Sequence, residues 1–193
     1  MAAREIQVLA FVGAPAAGKT IAATVAKDMD LPIITMGDVI RGELKRQGLP
    51  LSDETAGRIA TELREREGLD AIAKRCIPRI RAVLGSVGGE AKKTVVVIDG
   101  IRGTAEVERF KKEFGPDFTL VRVDTPLIRR YERIKARGRA DDALTLEEFK
   151  EREEREKGWG MGEAMEKADK VVKNEGSLDS FKKEIRRILD PQV

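Results

Sequence analysis

The segment GAPAAGKT, from Gly13 to Thr20, limits the possible fold of this chain more than any other part of the sequence. It matches the pattern G-x-x-x-x-G-K-[ST] at every required position. The apolar run IQVLAFV at 6–12 precedes it, and apolar residues at helical spacing follow it, which predicts a strand, a turn and a helix from about Gly18 to Asp28. This unit is typical of a phosphate-binding loop, or P-loop, in which backbone N–H groups and the positive end of a helix surround the phosphates.

The residues of the loop are predicted to bind a nucleoside triphosphate. Lys19 is expected to reach the β- and γ-phosphates, and Thr20 is expected to ligate Mg²⁺. The alternative is a flexible glycine–alanine turn, which the flanking strand and helix disfavour. The predicted nucleotide-binding set in the loop is Gly13, Ala14, Pro15, Ala16, Ala17, Gly18, Lys19 and Thr20.

Apolar runs elsewhere in the chain predict four further strands, and these alternate with helices. The strands are expected at 31–35, 94–99, 118–124 and 170–174. Such alternation favours a parallel sheet with helices on both faces, in which ligands bind beyond the carboxyl ends of the strands. We therefore predict an α/β protein of the P-loop NTPase fold, with a five-stranded parallel sheet, formed by residues 1–193 as one domain.

Capping residues and apolar stripes predict the positions of the helices. Helices are expected from about Asp38, over 52–84, over 126–137, from Thr145 through about 157, and after Ser177. Predicted N-caps are Thr104, Thr125, Thr145 with Glu148 as a capping box, and Ser177. Leu69 and Leu178 belong to apolar stripes that we expect to face the core.

Composition excludes several kinds of chemistry. The chain has no histidine, so mechanisms that need an imidazole are ruled out, and its one cysteine, Cys76, can form neither an internal disulfide nor, by itself, a structural zinc site. With no secretory signal and no apolar run of membrane-spanning length, we expect a cytoplasmic protein without a membrane partner. The net charge of +3 and the 4% of aromatic residues do not favour nucleic acid as a partner.

Asp99 ends the most apolar of the predicted strands. Its carboxylate should lie at the carboxyl edge of the sheet, beside the P-loop if the two strands are neighbours, and there it could ligate Mg²⁺ together with Thr20. An Asp-Gly pair after a strand is also ordinary turn chemistry, so both interpretations stay open.

Four motifs resemble those of archaeal proteins described as nucleotide-kinase-like or related to adenylate kinases. They are MGDVIR at 36–41, VIDGIR at 97–102, RGRADD at 137–142 and ADKVVKNEGSLDSF at 168–181. The resemblance covers nearly the whole chain and implies a fold like that of nucleoside monophosphate kinases. It also implies an acceptor-binding helical insertion over about 36–84 and a lid over about 126–157. Dephospho-coenzyme A kinases share the general layout and a similar terminal asparagine loop.

The resemblance to adenylate kinases implies an acceptor site made by Asp38, Arg41 and Arg102, in which the two arginines grip the phosphate of the acceptor. The sequence departs from the adenylate kinase motifs in two places. Met36 stands where those enzymes have threonine, and Ile101 stands where they have an aromatic residue and proline. Both departures bear on the identity of the acceptor.

The lid is predicted to supply Arg133 and Arg137, which lie four residues apart on one helical face and would reach a common anion once the lid closes. The alternative is that these arginines are solvated and paired with nearby acids. Asn174 resembles a residue of the loop that holds the adenine ring in related kinases, although the bare sequence predicts only a turn there. The predicted catalytic set is Lys19, Asp99, Arg133 and Arg137.

Together these features predict an enzyme that uses ATP or GTP with Mg²⁺ and moves the γ-phosphoryl group to a small phosphorylated acceptor such as a nucleoside monophosphate. Such a reaction depends mainly on positioning and charge neutralisation, so a protein without histidine can catalyse it. Two alternatives remain, a kinase of the dephospho-coenzyme A type and a regulatory or assembly factor that hydrolyses the nucleotide. Transfer to an added monophosphate, as opposed to release of free phosphate, separates the kinase from the hydrolase.

Overall fold

The computed structural model describes residues 5–86, 93–137, 145–156 and 160–190. Its strands pair in parallel in the order β2-β3-β1-β4-β5, which confirms the predicted sheet. The strands are β1 (Glu5–Val12), β2 (Ile33–Thr35), β3 (Lys93–Asp99), β4 (Phe118–Asp124) and β5 (Lys170–Lys173).

The described residues also form nine α-helices and one short 3₁₀ helix at Gly115–Asp117. The helices are α1 (Lys19–Asp28), α2 (Gly37–Gln47), α3 (Asp53–Glu67), α4 (Ala71–Ser86), α5 (Thr104–Phe114), α6 (Leu127–Arg137), α7 (Leu146–Glu156), α8 (Gly162–Glu166) and α9 (Leu178–Leu189). Among the helices of the described ranges, none is both long and apolar enough to cross a lipid bilayer.

Both faces of the sheet are covered, which explains why residues 8–12 of β1 are apolar at five successive positions instead of alternating. Residues 8–12 are at most 2% exposed. Val8 and Ala10 point to one side of the sheet and pack with α2, α3, α4 and α5, whereas Leu9 and Phe11 point to the other side and pack with α1 and α9. A strand buried on both faces must be apolar throughout.

Two predictions about the helices were wrong. The region 52–84 is not one helix, because α3 ends at Glu67 and Gly68 follows it with φ 97° before α4 begins. A backbone with this φ favours glycine and interrupts the helix. Leu69 and Leu178 are 69% and 51% exposed, so neither belongs to the core stripe to which we assigned it.

The predicted caps had mixed outcomes. The capping box of Thr145 and Glu148 and the cap at Ser177 are confirmed by their hydrogen bonds. The prediction for Thr104 was wrong, because the N-cap of α5 is Gly103 and Thr104 is the first helical residue. The Thr104 hydroxyl instead donates to the carbonyl of Gly160 at 3.3 Å.

The register of the strands brings three carboxyl ends together. Ala10 of β1 lies opposite Ile98 of β3, and Thr35 of β2 lies opposite Asp99. The segments that follow these strands therefore meet at one edge of the sheet, where a parallel sheet binds its ligands.

Candidate active site

The P-loop connects β1 to α1 at this edge. A hydrogen bond of 3.1 Å from the Ala17 N–H to the Ala14 carbonyl closes the turn, and Ala16 and Gly18 have φ values of 59° and 118°. Gly18 is the N-cap of α1, and it has no side chain that could accept hydrogen bonds from the first turn. A phosphate at this position would supply the missing acceptor.

Side chains from distant parts of the chain hold the carbonyl oxygens of the loop. The carbonyl of Ala17 accepts hydrogen bonds from the Thr125 hydroxyl at 2.9 Å and from the Asn174 amide at 2.8 Å. The Arg133 guanidinium lies 3.4 Å from the carbonyls of both Ala16 and Ala17. Because these oxygens accept hydrogen bonds from protein donors, Thr125, Asn174 and Arg133 fix the positions of the loop carbonyls, which lowers the entropic cost of binding.

Packing inside the protein also requires two of the motif glycines. A Cβ atom on Gly13 would lie 2.7 Å from the backbone oxygen of Val123, which cannot rotate away. A Cβ atom on Gly18 would lie 2.4 Å from the Asn174 amide nitrogen, and the φ of 118° is itself unfavourable for any other residue. These glycines therefore allow β4 and the terminal loop to approach the P-loop.

Lys19 and Asp99 lie at the same sheet edge. The Lys19 ammonium donates to the carbonyl of Gly13 at 2.6 Å and to that of Ala14 at 3.1 Å. The condition for placing Asp99 beside the P-loop is met, because β3 is a direct neighbour of β1. Burial raises the pKa of Asp99, while the positive charges of Lys19 and Arg102 act in the opposite direction.

The predicted acceptor residues lie on α2 and in the segment that follows β3. The Met36 N–H donates to the Asp99 carbonyl at 2.8 Å and so ties the start of α2 to the end of β3. On α2, Asp38 and Arg41 form an ion pair of 2.5 Å, with about half of each side chain exposed. Arg102 follows β3, and its side chain is exposed. The structure thus brings all three predicted residues to one edge, with Arg41 paired to Asp38.

Sequence reasoning missed Glu106, in the first turn of α5. Its carboxylate is 2% exposed, accepts the backbone N–H of Arg102 at 2.7 Å, and pairs with Arg64 of α3 at 3.2 Å. Burial raises its pKa, and the Arg102 N–H and the Arg64 charge oppose that shift. Glu106 therefore fixes the backbone that carries Arg102 and joins it to α3. In the sequence, the signal available for this contact was the spacing of four residues between Arg102 and Glu106.

Helix α6 places Arg133 directly on the P-loop. Its guanidinium also donates to the backbone and side-chain oxygens of Asn174, at 3.1 and 3.0 Å. Burial, together with the nearby charge of Arg129, lowers its pKa. Arg133 thus contacts the P-loop carbonyls and Asn174, and its expected contact with the phosphates after lid closure stays a prediction. Arg137 is the last residue of α6; its side chain and residues 138–142 of the RGRADD motif lie outside the described residues.

Asn174 is 2% exposed, and its amide is used by Ala17 and Arg133. Its side chain therefore holds the P-loop. Beside it lies a cavity of about 400 Å³, within the usual size range of small-ligand pockets. Residues that line this cavity include Ile21, Arg129, Glu132, Arg133, Asn174 and Gly176.

The proposed Mg²⁺ ligands are one hydroxyl and one carboxylate. Thr20 is exposed in the first turn of α1. Asp99 is the last residue of β3, the strand that pairs with β1. In the part of the chain that the structure describes, no group of three or more His, Cys, Asp or Glu could hold a metal ion. This donor set fits Mg²⁺, which proteins usually bind through one or two side chains plus substrate phosphates and water.

Comparison with known protein families gives a match to the AAA domain family over residues 12–150. A protein of Archaeoglobus fulgidus named UPF0200/UPF0201 is 56% identical over 185 residues, which cover 96% of this chain and 55% of that protein. The chain thus spans about half the length of that relative. A UPF0200 protein of Methanosarcina acetivorans is 43% identical over 185 residues, which cover 96% of this chain and 95% of the relative.

Two solved structures show the same fold. A protein of Thermus thermophilus matches with a TM-score of 0.60 and 20% identity, covering 98% of this chain and 100% of that one. The shikimate kinase of Bacteroides thetaiotaomicron matches with a TM-score of 0.55 and 12% identity, covering 95% and 98%. At these identities the likeness concerns the fold alone.

Proposed function

The chain belongs to the AAA domain family and to the UPF0200 group of archaeal proteins, and we propose that it is a P-loop kinase for a small phosphorylated acceptor. It would transfer the γ-phosphoryl group of ATP or GTP to an acceptor such as a nucleoside monophosphate. The observation that carries this proposal is the distribution of positive charge. Arginines lie on both sides of the edge that holds Lys19 and Asp99, with Arg133 on one side and Arg102 on the other.

The donor nucleotide would occupy the P-loop and the adjoining cavity. Its phosphates would accept hydrogen bonds from the first turn of α1, and Lys19 would turn from the Gly13 and Ala14 carbonyls to the phosphates. The cavity next to Asn174 would hold the base, since it adjoins the loop on the side of α6. This agrees with the predicted role of the terminal loop, although the Asn174 side chain itself faces the P-loop.

The acceptor would bind on the opposite side, against the start of α2 and the loop after β3. Arg41 and Arg102 are exposed there, and a phosphate would compete with Asp38 for the Arg41 guanidinium. Before the acceptor binds, the ion pair with Asp38 would hold the Arg41 side chain in position. This arrangement supports a region of about 36–84 as the acceptor-binding part, and a region of about 126–157 as the part that covers the donor phosphates.

The reaction itself would need little covalent participation by the protein, because the acceptor already carries an anionic oxygen. Lys19, Arg133 and Arg137 would stabilise charge on the transferring group through their positive charges. Thr20 and Asp99 would hold Mg²⁺, which when bound supplies charge neutralisation for the phosphate oxygens. Burial makes the negative charge of Asp99 costly, which raises its pKa and favours a cation beside it.

Transfer of labelled phosphate tests the proposal. The protein is incubated with Mg²⁺ and γ-labelled ATP or GTP, and with a panel of nucleoside monophosphates and dephospho-coenzyme A. We expect label in one class of acceptor, and a loss of about 10²–10³ in rate for Lys19→Ala. Lys27→Ala, which removes an exposed lysine from the same helix, is the matched control and should keep full activity.

Two outcomes would contradict the proposal. Release of free phosphate at the same rate with and without every acceptor would favour the nucleotide-hydrolysing factor. Equal turnover by Lys19→Ala and the wild type would mean that the P-loop is not the site of reaction. Transfer to dephospho-coenzyme A alone would show that the protein is a kinase of the dephospho-coenzyme A type.

A further inference from the structure

Two charged side chains that the proposed reaction does not use are buried behind the P-loop. Arg130 of α6 is 5% exposed and Glu153 of α7 is 8% exposed. They form an ion pair in which a guanidinium nitrogen lies 2.5 Å from a carboxylate oxygen. Removing two charges from water is costly before their mutual attraction is counted. Such a pair therefore calls for an explanation beyond general stability.

Arg130 connects this pair to the P-loop by two routes. Its Nε donates to the carbonyl of Thr125 at 2.9 Å, and the hydroxyl of the same threonine donates to the carbonyl of Ala17 at 2.9 Å. Its Nη1 also approaches the carbonyl of Pro15 at 3.4 Å. The guanidinium is planar with donors in fixed directions, so its orientation determines where both carbonyls lie.

Helix α7 supplies the other side of this contact. Phe149 is fully buried, and its ring lies 5.5 Å from the Arg130 guanidinium carbon and 5.9 Å from the Tyr131 ring. The glutamates Glu147, Glu148, Glu151 and Glu154 of α7 are exposed. Phe149 and Glu153 lie four residues apart, on one face of the helix, so α7 is fixed to α6 by one aromatic ring and one carboxylate.

We propose that Arg130 and Glu153 are positioning residues for the triphosphate site, and that docking of α7 is thermodynamically coupled to nucleotide binding. The proposal rests on the nucleotide-binding part of the proposed function. When α7 is docked, Glu153 orients Arg130, and Arg130 holds Thr125 and Pro15 in the shape that binds phosphate. Coupling between two sites is reciprocal, so a nucleotide that binds the held loop more tightly must stabilise α7 docking by the same factor.

The decisive variant replaces both charges by apolar side chains, Arg130→Met with Glu153→Leu. Replacing a buried ion pair in this way is often neutral or stabilising, so the protein should stay folded. The control is Lys135→Met with Glu151→Leu, which removes the same two charges from exposed positions of the same helices. Glu153→Gln serves as a second variant, since it keeps the packing and removes only the charge.

Two measurements use the non-hydrolysable analogue AMPPNP with Mg²⁺. Calorimetry gives the dissociation constant, and hydrogen exchange with mass spectrometry gives the protection of residues 13–20 and 146–156. We expect AMPPNP to slow exchange in both segments of the wild type, by about tenfold in α7, which is within the usual range of coupling. In the double variant the dissociation constant should rise by a similar factor and the effect on α7 should disappear. The control variant should behave as the wild type.

The outcomes distinguish this proposal from the proposed function. Slower exchange at 13–20 with no change at 146–156 in the wild type would overturn the coupling and leave the proposed function intact. The coupling is also wrong if the double variant binds AMPPNP as tightly as the control and keeps the protection of α7. Absence of any effect at 13–20 with AMPPNP and with its guanosine counterpart GMPPNP would contradict both, because the P-loop would then bind neither donor nucleotide.

Discussion

Asn174→Ala tests whether the terminal loop holds the P-loop in shape. The substitution removes an amide that donates to the Ala17 carbonyl at 2.8 Å and accepts from Arg133 at 3.0 Å. A neutral hydrogen bond contributes about 1 kcal/mol and one to a charged group about 1.5–3 kcal/mol. Part of this is recovered, because Ala17 keeps the Thr125 hydroxyl and Arg133 keeps the Asn174 backbone oxygen.

The net loss in the free energy of unfolding should therefore be about 2 kcal/mol. For a chain of this size, each kcal/mol shifts the thermal midpoint by about 2–4 °C, so the midpoint should fall by about 4–8 °C. If about 1 kcal/mol of the loss comes from the shape of the P-loop, the dissociation constant for ATP should rise about fivefold. Thermal unfolding followed by circular dichroism, and calorimetry with AMPPNP, measure the two effects.

Two further variants separate the contributions. Asn174→Asp keeps an acceptor for Arg133 but places a carboxylate oxygen against the Ala17 carbonyl, so it should weaken nucleotide binding at least as much as Asn174→Ala. Lys173→Ala, in the preceding exposed position, should change neither quantity. A midpoint within about 1 °C of the wild type and an unchanged ATP affinity for Asn174→Ala would refute the reasoning.

Three other substitutions give independent tests. Arg102→Ala should raise the acceptor KM by about 10–100-fold, which is the range for the loss of a charged hydrogen bond, and should leave the ATP affinity unchanged. Loss of ATP binding in calorimetry would contradict the position of Arg102 on the acceptor side. Gly18→Ala should lower the thermal midpoint without nucleotide, since its Cβ would lie 2.4 Å from the Asn174 amide at a φ of 118°, and an unchanged midpoint would show that the loop can move aside. Hydrogen bonding, chiefly to Arg46, lowers the pKa of Glu43 from 4.5 to about 2, so its stabilisation is complete above about pH 4.5 and is lost as the pH falls toward 2. Glu43→Gln should flatten acid unfolding in that range, and an identical acid-unfolding curve would exclude the contribution.

Local patterns were enough to predict the sheet and the P-loop. Strands buried on both faces must be apolar at successive positions, and 94–99 and 118–124 correspond closely to β3 and β4. The loop motif works through backbone groups and a helix terminus, which adjacent residues supply. For the same reason the capping box of Thr145 and Glu148 was predictable, because both partners lie within one turn.

Helical periodicity predicted burial less well where an apolar stripe extended past the end of a helix. Leu69 and Leu178 have the spacing of core residues, but Leu69 lies in the turn between two helices and Leu178 at the first position of α9. The periodicity of a sequence window does not show where a helix begins. Only the paths of the neighbouring helices decide which end residues face the core.

What the sequence determined by itself was therefore the alternation of strands and helices, the phosphate-binding loop and the family to which the chain belongs. Only the tertiary structure showed that Asn174 holds the P-loop, that Glu106 carries the backbone of Arg102, and that Arg130 and Glu153 are buried together. Each of these contacts joins residues that are distant in the chain or on separate helices, or depends on burial. In a sequence with 37% charged residues, a buried carboxylate or guanidinium has the same local pattern as a solvated one. The difference between them is the loss of water and the direction of the partner, and both arise only when the helices pack.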